Sequence, residues 1–221
     1  MSRQFVVIGL GRVGISMVRT LNSLGHEVLG IDESEERIQD LVDDLPNANL
    51  VAADATDEDV LRDLNVGQFD SAAVMIGENT EASILVTAIL KELGVGMVVA
   101  RANGGLHARV LDRVGADRVI EPERTMGEQL ARTLASPGLL DYVDLGEDEA
   151  LVEAEVPEKW VDKSLADLQL ARKKGLAVVT LKQKGESGAT IPRGDTVLRR
   201  GDVMIIADNK KDLDGLDLHQ R

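Results

Sequence analysis

The chain contains no cysteine, which excludes disulfides, thiolate metal sites and a cysteine nucleophile together. Aromatic residues are only 2% of it, so any core has to be built from Val, Ile, Leu and Ala. Basic residues are outnumbered, 25 Lys and Arg against 39 Asp and Glu, leaving a formal net charge of -14. A nucleic-acid partner is therefore not expected, because phosphate binding rests on clustered cations. Adsorption to an anionic membrane surface is disfavoured for the same reason. No apolar run approaches the ~20 residues needed to span a bilayer. Gly9, Gly11, Arg12 and Gly14 interrupt the first apolar stretch, so a signal peptide is not read there. These absences describe a soluble, cytoplasmic protein.

What is present is a hydrophobic fraction of 43%, enough for a real core in one large domain or two small ones. Over the first two thirds, β-branched apolar runs alternate with helical patterns. Strands are predicted at 5–9, 27–32, 49–53, 72–76, 97–101 and 118–120, with helices at about 13–24, 34–45, 57–64, 80–93 and 106–114. That alternation specifies a doubly wound parallel sheet with helices on both faces. The 80–94 helix is apolar nearly all round, a pattern that predicts an outer side facing another subunit. "PERTMGEQLARTLAS" gives a further helix with Met126, Leu130 and Leu134 four residues apart, broken by Pro137 and Gly138. The remainder is strand-rich with one short helix, "SLADLQLARKKG", and reads as a small α+β domain ending in a solvated tail, "KKDLDGLDLHQR".

Gly9, Gly11 and Gly14 form a G-x-G-x-x-G directly after the first strand, and Asp32 ends the second strand. The glycines serve the tight turn, close approach of a pyrophosphate and helix–strand packing. The helix N-terminus offers free N–H groups to phosphates. Asp32 is placed to accept from the two hydroxyls of an adenosine ribose and disfavours a 2′-phosphate, so NADP is not expected. Arg12 lies inside the turn, where its guanidinium suits a ligand with more phosphate charge than NAD, such as ATP or ADP. The alternative for Arg12 is a solvent-exposed ion pair. Asp54, after the third strand, is placed to accept from an adenine amino group. Asp57, Glu58 and Asp59 read as helix-starting acids.

A dehydrogenase would need a proton donor or acceptor beside the nicotinamide. His26 falls in a turn, His107 begins a helix and His219 is near the C-terminus. Tyr142 is the only tyrosine and has no lysine four residues on. The chain therefore reads as a nucleotide sensor without catalytic residues, with a small NAD-dependent oxidoreductase as the alternative. An NADH-sensing repressor would need a basic DNA-binding segment, which the charge disfavours.

"QFVVIGLGRVG", "GHEVLGID", "ADAT", "IGENTEAS" and "ADRVIEPERTMG" together resemble the RCK (KTN) regulatory subunits of Trk and Ktr potassium transporters. The resemblance implies a Rossmann-like RCK N-lobe over 1–121, a crossover helix and linker over 122–138 and an RCK C-lobe over 139–221. It places Gly9, Gly11, Arg12, Val13, Gly14, Asp32, Asp54, Ala55, Thr56, Gly77 and Arg101 at a nucleotide, ATP or ADP with NAD(H) as a further candidate. In Ktr-type subunits the arginine matching Arg12 reaches the terminal phosphate of ATP in the neighbouring protomer. The glutamate matching Glu123 helps hold a divalent cation such as Mg²⁺ there. The resemblance also implies homodimers assembling into an octameric ring, peripheral at the cytoplasmic face of the membrane through a potassium-translocating subunit. Cyclic di-AMP binding in the C-lobe stays open, because Ala171 stands where the family pattern has an arginine and Arg172 comes one place later.

Overall fold

The computed structural model describes residues 2–146 and 148–209; the C-terminal tail, with His219, lies outside the described residues. The chain forms two compact units, Met1–Pro122 and Glu123–Arg221.

In the first unit β1 (Gln4–Ile8), α1 (Arg12–Ser23), β2 (Glu27–Asp32), α2 (Glu35–Val42), β3 (Asn49–Ala52), α3 (Glu58–Asp63), β4 (Ser71–Val74), α4 (Thr80–Glu92), β5 (Val98–Arg101), α5 (Gly105–Arg113) and β6 (Arg118–Ile120) follow in order. The strands pair in parallel in the order β3-β2-β1-β4-β5-β6. This is the doubly wound sheet expected from the alternating pattern. Successive side chains on a strand point to opposite faces. Val6, Ile8, Leu29, Ile31 and Val74 accordingly enter one core, while Val7, Val28, Ala73 and Met75 enter the other. Helix-covered faces on both sides are why the strands read as continuous apolar runs. The chain runs from β1 outward to β3 and then returns to β4 beside β1, so the strand order reverses between β1 and β4. In such sheets the carboxyl edge at the reversal opens a crevice.

α4 is buried by its own unit along one side. It packs on β4, β5 and α5, and Val86, Ile89 and Leu90 are buried by the same chain. Of its large apolar side chains only Leu85 is among the exposed ones. Ile84 and Ala88 are only half-buried, so part of the apolar circumference stays accessible on the outer side.

The second unit contains α6 (Pro122–Ala135), β7 (Leu139–Asp144), β8 (Glu149–Glu155), α7 (Leu165–Leu168), α8 (Leu170–Lys174), β9 (Ala177–Lys182) and β10 (Val203–Asn209), α6 being assigned here although it opens on Pro122. The four strands pair antiparallel in the order β7-β8-β10-β9. Its core is not wholly aliphatic: Trp160 and Tyr142 are both buried. The single short helix expected over 164–175 is two helices. A capping box between Ser164 and Asp167 starts α7, and Gln169 ends it in the left-handed region at φ 48° before α8 begins. α6 buries none of its residues, and Met126, Leu130 and Leu134 form an exposed apolar stripe along it.

Candidate functional site

The carboxyl edge of the first sheet carries a cleft of about 410 Å³. The turn after β1 (Gly9, Gly11), the end of β2 (Asp32), the loop after β3 (Asp54, Ala55, Thr56), the loop after β4 (Gly77) and Arg101 at the end of β5 all line it.

The three turn glycines are glycine for different reasons. Gly9 has φ +91°, and a Cβ there would lie 2.8 Å from the Ile76 nitrogen. Gly14 sits on α1 where a Cβ would come within 2.0 Å of the Gly9 carbonyl oxygen. Backbone conformation and close packing therefore account for both. Gly11 is different: its φ is -75° and a Cβ would meet nothing within 4 Å. Neither close packing nor a positive φ calls for glycine there, and the space above it is open. The end of α1 agrees. Gly11 gives it no capping side chain and its first turn has no acid. By contrast, α2, α3 and α4 are capped by Ser34, Asp57 and Asn79 and begin with acidic residues. The α1 N–H groups and positive dipole end stay available to an anion.

Asp32 is buried at 5% exposure. Its Oδ2 accepts from the Leu10 backbone N–H at 2.8 Å and its Oδ1 from the Ser34 N–H at 3.1 Å. The carboxylate is thereby fixed at the rim of the cleft. Asp54 is exposed, and its Oδ1 accepts from the Thr56 hydroxyl at 2.7 Å and the Thr56 N–H at 2.9 Å. These two bonds, the hydroxyl first, hold its carboxyl below the usual range and keep it an acceptor. Arg101 lies across the β4 loop, where a Cβ on Gly77 would be 2.8 Å from its Nη1. The guanidinium passes over Gly77, and as the end of a flexible side chain it could shift to admit a larger residue. The Asn103 side-chain amide donates to the Gly77 carbonyl and ties the same loop to the β5–α5 connection.

Val13 is half-buried on α1 and packs into the second core rather than lining the cleft. Arg12, the first residue of α1, is exposed and does not line the cleft either. It forms no ion pair with a described residue, so the salt-bridge alternative finds no support. Glu123 is the second residue of α6, in the other unit. Among the described residues no group of three or more Asp, Glu or His side chains is arranged to hold a metal ion.

His107, which reads from sequence as helix-starting, is buried, and its Nδ1 accepts from the Asn103 N–H at 3.2 Å. The proton of the neutral ring is then on Nε2, for which no partner exists among the described residues. Burial pushes its pKa down from 6.5. The unfolded chain binds the proton more readily, so this group contributes stability in full above pH 6.5 and loses it as pH falls through the lowered folded value. Wild type is expected to lose stability relative to His107→Gln in thermal unfolding between pH of about 7.5 and about 5.5. A constant difference between the two proteins across that window would assign the titration to another group.

Residues 5–122 match the TrkA-N domain and residues 151–217 the TrkA-C domain. The chain is 37% identical over 213 residues to Ktr system potassium uptake protein C of Bacillus subtilis, covering 96% of this chain and 95% of that protein. The chain belongs to the TrkA/Ktr family of potassium-uptake regulatory proteins. Ktr system potassium uptake protein A of the same organism is 36% identical over 96% of this chain and 94% of its own. Among solved structures, the GsuK channel superposes with a TM-score of 0.72 at 18% identity over 100% of this chain and 40% of that one. The GsuK channel bound to NAD gives 0.69 at 17% identity, over 96% of this chain and 38% of that one. At such identities the TrkA/Ktr chain shares a fold with GsuK, and it spans less than half of the GsuK chains. As a TrkA/Ktr protein it is regulatory and not an enzyme. Among its described residues no helix is long and apolar enough to cross a membrane.

Proposed function

We propose that this chain is a nucleotide-sensing gating subunit of a Trk/Ktr-type potassium transporter, acting at the cytoplasmic face of the membrane. The observation that carries the nucleotide part is Gly11, a glycine that neither conformation nor packing requires, at the uncapped start of α1. A diphosphate fits there by chemistry: backbone N–H groups and helix dipole for the phosphates, Asp32 for a ribose diol, Asp54 for an adenine amine. ATP and ADP are the leading ligands. NAD(H) is the second reading, favoured by one GsuK structure described as bound to NAD, beside another bound to ADP.

The TrkA-N segment acts as the nucleotide lobe, 122–138 as crossover helix and linker, and 139–221 as C-lobe. The exposed stripe of Met126, Leu130 and Leu134 and the outer side of α4 at Leu85 are the surfaces that suit a second copy. Paired copies then build an octameric ring whose shape, and hence the conductance of its membrane partner, follows which nucleotide is bound. Arg12, exposed and outside its own cleft, serves the terminal phosphate of ATP in the neighbouring copy. A divalent cation, if used, needs Glu123 from more than one chain, since one chain offers no ligand cluster among its described residues. Cyclic di-AMP in the C-lobe is left open, Ala171 standing where the family pattern has an arginine and Arg172 one place later.

Isothermal titration with ATP, ADP, NADH and NADPH, with and without Mg²⁺, tests the proposal. Tight, Mg²⁺-enhanced ATP binding beside metal-independent ADP binding supports it. Binding of NADH alone replaces the adenine phosphate reading with a redox-nucleotide sensor. Glu123→Gln is expected to remove most of the Mg²⁺ enhancement of ATP affinity. An unchanged metal response takes Glu123 out of the site.

A further inference from the structure

We infer that Arg37 is a built-in competitor for the ribose-binding carboxylate, setting how tightly the cleft holds a nucleotide with a free 2′,3′-diol. The inference rests on the nucleotide reading above. A carboxylate offers about four acceptor positions. On Asp32 two are taken from within the fold, by the Leu10 and Ser34 N–H groups. The remaining capacity is taken by Arg37, whose Nη1 lies 3.1 Å from both Oδ1 and Oδ2. Both side chains line the cleft, so Arg37 holds the acceptor positions that the two ribose hydroxyls would need.

The partners are unequal. The Asp32 side chain is 4% exposed while that of Arg37 is 51% exposed. Arg37, on the first turn of α2, can therefore swing into solvent with little rehydration penalty, whereas Asp32 cannot leave. The two backbone bonds already fix the carboxylate, so Arg37 is not needed to position it. A ligand with the diol must displace the guanidinium and recovers only the difference. A ligand without the diol leaves the ion pair in place. Arg37 thus lowers the contribution of the ribose and leaves the phosphate contribution alone.

The experiment compares ATP with 2′,3′-dideoxy-ATP on the full-length wild type, Arg37→Met and Arg37→Lys. Methionine keeps the apolar stem and removes the charge, and circular dichroism with a melting curve verifies its fold. Arg37→Met is expected to bind ATP up to about fivefold more tightly, the upper range for a partly exposed ion pair, with dideoxy-ATP affinity unchanged. Arg37→Lys, which keeps one charge but not the planar group, is expected to fall between. Weaker ATP binding with unchanged dideoxy-ATP would make Arg37 a positioning residue and overturn the inference. Equal losses for both ligands would reduce it to a general attraction for phosphate and also overturn it. If wild type binds neither, the nucleotide reading itself fails, an outcome distinct from either of these.

Discussion

Gly14→Ala is expected to destabilise the first unit by about 3 kcal/mol and lower its melting temperature by roughly 10 °C. The added methyl would sit 2.0 Å from the Gly9 carbonyl oxygen, which is backbone and cannot rotate away. α1 would have to lift off the sheet, opening the core that Val18 and Val7 share. Gly11→Ala is the control, since its methyl meets nothing within 4 Å and its φ of -75° suits alanine. That variant is expected to lose nucleotide affinity and, because alanine is a poorer N-cap than glycine, to lower the melting temperature by only a few degrees. Differential scanning calorimetry of the pair separates the two roles. Equal melting temperatures for both variants would mean that α1 tolerates the shift and that the turn is less tightly packed than its geometry indicates.

Arg12→Ala should weaken ATP binding by about tenfold while changing ADP binding by about twofold or less. A hydrogen bond to a charged group contributes about 1.5 kcal/mol or more, which corresponds to that factor. The asymmetry follows from the proposed contact with the terminal phosphate alone. Arg12 has no ion pair with a described residue to lose, and it is exposed, so its removal has no structural cost to confound the titration. Equal losses for ATP and ADP would remove the discriminating role and leave a general electrostatic one. Because the contact is proposed between copies, the effect should also vanish in any variant that remains monomeric.

Much of the first unit was legible because its signals are local. β-branched runs, the glycine turn and an acid at the end of β2 each report on a few neighbouring residues, and the parallel sheet follows from their alternation. The motif already separated the packing role of Gly14 from that of Gly11, but how close the contact is, 2.0 Å from an added Cβ to the Gly9 carbonyl oxygen, depends on what lies across from it and is seen only in the structure. The Asp32–Arg37 pair was overlooked although a signal existed: a cation five residues after the acid, on the first turn of the next helix. The strap from Asn103 to Gly77 joins residues far apart in sequence and leaves no periodic trace. An apolar circumference such as that of α4 does not by itself distinguish burial by the same chain from burial by another. The break at Gln169 went unread because a left-handed residue that is not glycine carries no compositional mark.

α6 spans 14 residues and buries none of them. An isolated helix of about that length is marginal in water, since nucleation is unfavourable and each added residue contributes little. Its amides in a dilute, solitary chain would therefore exchange with solvent far sooner than those of β1 or β4, whose opening requires the unit to unfold. Protomer concentration would then act on it as heat and denaturant do on other helices, with dilution fraying it and crowding restoring it. Within its own unit α6 is held by the Gln129–Asp141 hydrogen bond and by Arg132 over the Tyr142 ring, so on the proposed pairing a second copy would supply the rest of its order.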